Sequence, residues 1–174
     1  MAQRLFLGHG ASGTAATMAP FVAGLRARGI DAIALDLPRR RAEDAVPAWL
    51  LGAPPGPGVA VGGHSYGGRV ASLAVAAGAA YDALVLFSYP LHPPGAPDRA
   101  EARTDHWPSI RCPVLLLSGE SDPFARLDLL RAAVDRLPDA RLVTYARLGH
   151  TLRPVLDDAL DRAAAFLLGS PADR

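Results

Sequence analysis

Gly63-His64-Ser65-Tyr66-Gly67 decides how this chain is read. An apolar run, Val59-Ala60-Val61-Gly62, leads into it, and a small-residue segment of helical character, Arg69 to Ala80, leads out of it. A serine at such a junction reads as a nucleophile on a strand-to-helix elbow. The elbow forces the serine into a sparsely populated backbone conformation and leaves its flanks no room for side chains, which accounts for glycine at 63 and 67. The same five residues also arise by chance in glycine-rich chains, and a serine before a helix is commonly only an N-cap. The weight therefore falls on two residues further along the chain.

Asp122 comes next, just beyond Val114-Leu115-Leu116-Leu117, and His150 lies just beyond Leu142-Val143-Thr144-Tyr145. Ser, Asp, His is the chain order of hydrolases built on an open α/β sheet. Both later residues fall at the carboxyl ends of predicted strands, the edge where such sheets assemble their sites. In the roles this order implies, Ser65 attacks an acyl carbonyl, His150 takes its proton and later returns it, and Asp122 orients His150. Each residue alone has a plainer reading. Asp122-Pro123-Phe124 is a helix-start signal, His150 after Gly149 can close a turn, and Glu120 competes as the acid if the turn is one residue tighter. Order and placement together favour the catalytic set with Asp122.

Short β-like runs alternate with longer helical segments along the whole chain, the pattern of a parallel sheet covered on both faces. Strands are predicted at Arg4 to Leu7, Ala32 to Asp36, Val59 to Gly62, Ala83 to Ser88, Val114 to Ser118 and Arg141 to Ala146. Helices are predicted near Ala15 to Arg28, Glu43 to Leu51, Ser65 to Ala80, Arg126 to Leu137 and Pro154 to Leu168. The expected fold is a three-layer α/β/α sandwich on a mainly parallel six-stranded sheet, one domain over residues 1–174. With the first strand between the second and the third, a crevice opens between strands one and three. The connection from Tyr89 to Arg111 is long for a compact domain, and such loops are usually functional or mobile.

Half of the residues are hydrophobic and the formal net charge is +1, so nothing in the balance points to nucleic acid or an anionic membrane. All 18 basic residues are arginine. Cys112 is the only cysteine, which excludes an intramolecular disulfide and a cysteine-rich metal site and fits a reducing compartment. It reads as a small buried hydrophobe before Pro113. The run Met1 to Gly8 is too short for a secretory leader, and no run is long enough to span a membrane. A soluble cytoplasmic protein is expected.

Gly8-His9-Gly10-Ala11-Ser12-Gly13 follows the first strand and matches the G-x-G-x-x-G dinucleotide pattern, with Asp36 ending the second strand where a ribose-binding acid would stand. In that reading a pyrophosphate meets a helix amino terminus. In the other, the same loop offers a backbone N–H, that of Ala11, to a developing oxyanion together with that of Tyr66. A dinucleotide fold has no use for Ser65, Asp122 and His150 at the ends of three further strands, so the oxyanion loop is favoured. His9, Tyr89 and His92 are candidate substrate contacts, although the positions of His9 and His64, flanking the oxyanion loop and the nucleophile, suggest packing or loop hydrogen bonds more than proton transfer. Arg39-Arg40-Arg41 could meet an anionic substrate group, although a solvated loop is the commoner meaning of such a run.

Taken together, Gly8 to Gly13, Gly63-His64-Ser65-Tyr66-Gly67-Gly68-Arg69, Tyr89-Pro90-Leu91-His92-Pro93-Pro94-Gly95, Gly119-Glu120-Ser121-Asp122-Pro123-Phe124 and Gly149-His150 resemble the α/β-hydrolase superfamily. The resemblance covers essentially the whole chain and is nearest to small members similar to the testis-expressed and dienelactone-hydrolase-like proteins. The Tyr89 to Gly95 stretch carries the link to the testis-expressed-like group. The resemblance implies a Ser65, Asp122, His150 triad, no cofactor, and a small-molecule ester or thioester as substrate. The chain departs from the usual pattern in starting at what looks like the third of eight strands and in lacking an inserted cap, and Ser65 stands where dienelactone hydrolases typically carry cysteine. Related folds also serve as non-catalytic interaction modules, so that reading stays open.

Overall fold

Six strands and five α-helices alternate through the computed structural model, which describes residues 4–169. The first three residues of the Met1 to Gly8 run and the last five of the 1–174 span lie outside the described residues. The strands are β1 (Arg4–Gly8), β2 (Asp31–Leu35), β3 (Val59–His64), β4 (Ala83–Phe87), β5 (Val114–Gly119) and β6 (Ala140–Tyr145). They form one sheet in the order β2-β1-β3-β4-β5-β6 with every pairing parallel. The expected three-layer sandwich and the expected place of β1 between β2 and β3 are both observed.

Alternation along the strands divides the core. Successive side chains of a strand point to opposite faces, so Leu5, Leu7, Val85, Phe87, Leu115 and Leu117 enter one core while Phe6, Leu84, Leu86 and Leu116 enter the other. Helices α1 (Ala19–Arg26) and α5 (Leu156–Leu168) close the first face through Phe21, Leu25, Leu160 and Leu167. Helices α2 (Ala42–Gly52), α3 (Tyr66–Ala76) and α4 (Leu127–Val134) close the second through Trp49, Val70, Ala74 and Leu130. Burial on both sides explains why β4 and β5 read as unbroken apolar runs.

Helix ends differ from the sequence expectation for identifiable reasons. The segment expected as one helix over Ala15 to Arg28 is a 3₁₀ turn, Ala15–Met18, followed by α1, because Pro20 has no N–H to donate back into the preceding turn. Helix α3 stops at Ala76 and not Ala80. Gly78 takes φ 100°, and Gly78 and Ala79 donate their N–H groups to the carbonyls of Val75 and Ala74, a glycine-based helix stop.

The long connection from Tyr89 to Arg111 is a packed structure with three 3₁₀ turns. Tyr89, Leu91, Trp107 and Ile110 are buried in it, and the Tyr89 and Trp107 rings meet edge-on at 5.0 Å. No helix among the described residues is long and apolar enough to cross a membrane.

Candidate active site

The chain turns sharply between β3 and α3. Ser65 sits at φ 52°, ψ −115°, a conformation that costs a non-glycine residue on the order of 1–3 kcal/mol and persists only when its surroundings impose it. Here the Ser65 N–H donates to the Phe87 carbonyl at 3.0 Å, and its carbonyl accepts from the Arg69 N–H at 3.1 Å. Space is as tight as the backbone. A Cβ at Gly63 would stand 2.4 Å from the Gly8 carbonyl oxygen, and one at Gly67 would stand 2.1 Å from the Gly8 carbonyl carbon. The glycines of the elbow therefore allow α3 to rest on the end of β1.

Asp122 lies in the turn after β5, with its side chain wholly buried. Its Oδ1 accepts the Phe124 N–H at 2.8 Å and its Oδ2 accepts from His150 Nδ1 at 2.8 Å, so both oxygens of a buried carboxylate are satisfied. His150 follows β6, and its Nε2 lies 2.9 Å from Ser65 Oγ. Phe124 packs on its ring at 4.5 Å and His64 at 5.1 Å. Three residues from three strand ends thus form one hydrogen-bonded chain. Such an arrangement can move a proton from the hydroxyl to Nε2 while Nδ1–H is held by the carboxylate. Glu120, the competing acid, is turned away and accepts from Thr144 Oγ1 at 2.8 Å.

The cavity over Ser65 has a volume of about 560 Å³, and Ala11, Tyr66, Pro90 and Phe124 contribute to its walls. Tyr66 is the first residue of α3, so its N–H is one of those a helix leaves without an internal partner. Ala11 reaches the same cavity from the loop after β1, in which Gly13 N–H donates to the Gly10 carbonyl at 2.9 Å.

The three candidate substrate contacts are placed differently. His9 is buried; its Nδ1 donates to the Gly10 carbonyl at 2.7 Å and its Nε2 accepts the Leu37 N–H at 3.0 Å, which staples the loop after β1 to the loop after β2. His92 repeats the device, donating to the Pro93 carbonyl at 2.8 Å and accepting the Arg126 N–H at 3.1 Å, so it ties the long loop to the start of α4. Tyr89 is buried too, and its hydroxyl donates to the Arg103 carbonyl at 2.6 Å. None of the three is among the residues that line the cavity over Ser65. His64 donates from Nε2 to the His150 carbonyl at 3.3 Å, and burial lowers its pKa.

Burial pushes the Cys112 thiol up to about 11, which leaves it protonated at neutral pH. Asp36 accepts the Ala15 N–H at 2.6 Å, so it caps the 3₁₀ turn before α1 where the dinucleotide pattern would have it hold a ribose.

Sequence reasoning missed part of this cavity. Arg69, Arg99 and Arg103 also line it. The length of the Tyr89 to Arg111 connection was the available signal for the last two. A second serine–histidine pair also went unnoticed: Ser72 Oγ and His106 Nε2 lie 2.8 Å apart. Ser72 is fully buried, and its hydroxyl donates back to the Arg69 carbonyl at 2.8 Å, so this pair braces α3 against the long loop.

An all-parallel doubly wound sheet with a strained serine elbow after its third strand defines the α/β-hydrolase class of architecture. The chain belongs to the alpha/beta hydrolase domain family, whose model matches residues 2–166. It is similar in structure to the monoacylglycerol lipase of Paleococcus ferrophilus, with a TM-score of 0.79 at 15% identity over 97% of this chain and 96% of that one. It is similar also to an esterase of Pyrococcus furiosus, with a TM-score of 0.77 at 15% identity over 97% and 82% of the two chains. A thermophilic esterase of Thermogutta terrifontis gives 0.74 at 18% identity over 99% and 85%. At these identities the likeness is one of fold. No protein with a curated description matches the chain by sequence.

Proposed function

We propose that the protein is a serine hydrolase that cleaves small acyl esters or thioesters through an acyl-enzyme formed on Ser65, acting as a single domain in the cytoplasm. The observation that carries this reading is the unbroken path Asp122 Oδ2, His150 Nδ1, His150 Nε2, Ser65 Oγ, with links of 2.8 and 2.9 Å. Ser65 Oγ attacks the acyl carbonyl as its proton passes to His150 Nε2, and the imidazolium is stabilised by Asp122. The backbone N–H groups of Ala11 and Tyr66 receive the oxyanion. Collapse expels the alcohol or thiol with the proton from Nε2. Water then repeats the sequence and frees the acid.

Membership in the hydrolase family and the esterase and lipase folds it resembles support the reaction class. The Tyr89 to Gly95 stretch supports a place beside the testis-expressed-like members, and the lone cysteine supports the compartment.

The test is labelling with a fluorophosphonate probe, with the adduct located by mass spectrometry. An adduct on Ser65, absent from Ser65→Ala, is the expected result. Well-folded protein that does not label would instead favour the non-catalytic module.

A further inference from the structure

Five of the twelve residues that line the cavity over Ser65 are arginines: Arg40, Arg41, Arg69, Arg99 and Arg103. Arginine makes up 18 of 174 residues in the whole chain, so the cavity concentrates it severalfold. One carboxylate, Glu43, shares the lining. It is engaged by Arg69 and, at 3.9 Å, by Arg41. Among the described residues no carboxylate lies at ion-pair distance from Arg40, Arg99 or Arg103.

The arginines arrive from three separate places, namely the loop after β2, helix α3 and the long β4–β5 connection. Arg103 Nη1 donates to the Pro90 carbonyl at 3.0 Å, and Arg69 Nη1 donates weakly to the Arg103 carbonyl at 3.4 Å, so two of the guanidinium groups are held by backbone and not left to swing. Burial, and then the charge of Arg69, lower the pKa of Arg103. Like charges gathered at a concave site repel one another, and a bound anion relieves that repulsion. Guanidinium groups are also the side chains best matched to the flat oxygen pairs of carboxylate and phosphate.

We infer that the cavity selects acyl compounds that carry an anionic group, a carboxylate or a phosphate, on the same small molecule as the scissile ester or thioester. The inference rests on the hydrolase reading for the bond cleaved and on the arginines for the charge.

Two p-nitrophenyl esters of equal chain length test it: the hexanoate, and the monoester of adipate, which ends in carboxylate in place of methyl. The expected result is a kcat/KM for the adipate monoester at least about tenfold higher at low ionic strength, with the advantage shrinking in high salt. Arg99→Gln, at an exposed position, should narrow the ratio of the two, and Arg103→Gln should narrow it further. Equal or faster cleavage of the hexanoate overturns the inference and leaves the hydrolase reading standing.

If neither ester is cleaved and Ser65 does not label, the hydrolase reading fails and the anion site is judged by binding. Thermal unfolding is then followed in sodium adipate, inorganic phosphate, and sodium chloride of matched ionic strength. A rise in Tm with adipate alone assigns a carboxylate site, and a rise with phosphate alone assigns a phosphate site, provided Arg99→Gln diminishes it. No rise beyond that in chloride overturns the anion site as well.

Discussion

Gly67, in the first turn of α3, lies against Gly8 at the end of β1: a Cβ on Gly67 would stand 2.1 Å from the Gly8 carbonyl carbon, and the Gly67 N–H donates to the next carbonyl, that of His9, at 2.9 Å. The Gly8 backbone cannot retreat, because Gly8 pairs with Leu35 on one side and Gly63 on the other. Gly67→Ala should therefore destabilise the protein by about 2–3 kcal/mol or more, the cost of forcing volume into a close-packed site. Urea unfolding measures it. A loss under about 1 kcal/mol would show that α3 can slide away from β1.

Strain at Ser65 can be separated from the loss of its hydroxyl by comparing two substitutions. Alanine keeps the Cβ at φ 52° and glycine removes it. Ser65→Gly should be more stable than Ser65→Ala by about 1 kcal/mol, the relief of strain being partly offset by the greater freedom of glycine in the unfolded chain. Equal stability of the two would limit the strain to the entropic penalty of glycine, about 0.5–1 kcal/mol, and a less stable glycine variant would show that the elbow stores none.

Asp122→Asn keeps a side-chain oxygen for the Phe124 N–H but presents His150 with an amide in place of a charge. Folding stability should change little, while ester hydrolysis falls by roughly a thousandfold or more, because the imidazolium loses its stabilising anion and Nδ1–H its acceptor. Rates on p-nitrophenyl acetate decide it. A loss under tenfold would remove Asp122 from the proposed chemistry.

His106 makes stability depend on pH. Burial, and then the charge of Arg69, lower its pKa to about 4 in the folded protein from 6.5. Between those values the unfolded chain binds a proton that the folded protein does not, so stability falls as pH drops from about 6.5 towards about 4 and levels off below, by about 2–3 kcal/mol at pH ~4.5. His106→Gln should flatten that part of the curve when urea midpoints at pH ~7.5 and ~4.5 are compared. An unchanged slope in the variant would assign the acid sensitivity elsewhere.

Fold and elbow were legible because both write themselves into local pattern. Leu84-Val85-Leu86-Phe87 and Val114-Leu115-Leu116-Leu117 read as buried strands, and Gly63-His64-Ser65-Tyr66-Gly67 marks a junction too tight for side chains. Helix ends were less legible, since Pro20 and Gly78 act through single hydrogen bonds that a periodic pattern does not register. Tyr89 and His92 read as substrate contacts because polar and aromatic groups near strand ends often are, and His9 reads either so or as a loop hydrogen bond, which is what it makes. Their partners are backbone groups distant in the chain, those of Leu37, Arg103 and Arg126, and nothing in the sequence names them.

By itself, then, the sequence determined the alternation of strands and helices, the parallel sheet, and the placing of Ser65, Asp122 and His150 at the carboxyl ends of three strands. These arise from hydrophobic period and from steric limits that act within a few residues. Only the tertiary structure decided that Asp122 and not Glu120 faces His150, and that Arg69, Arg99 and Arg103 meet Arg40 and Arg41 around the serine. Those choices depend on where loops fold back and which buried polar groups they satisfy, and that is settled by contacts between segments far apart in the chain.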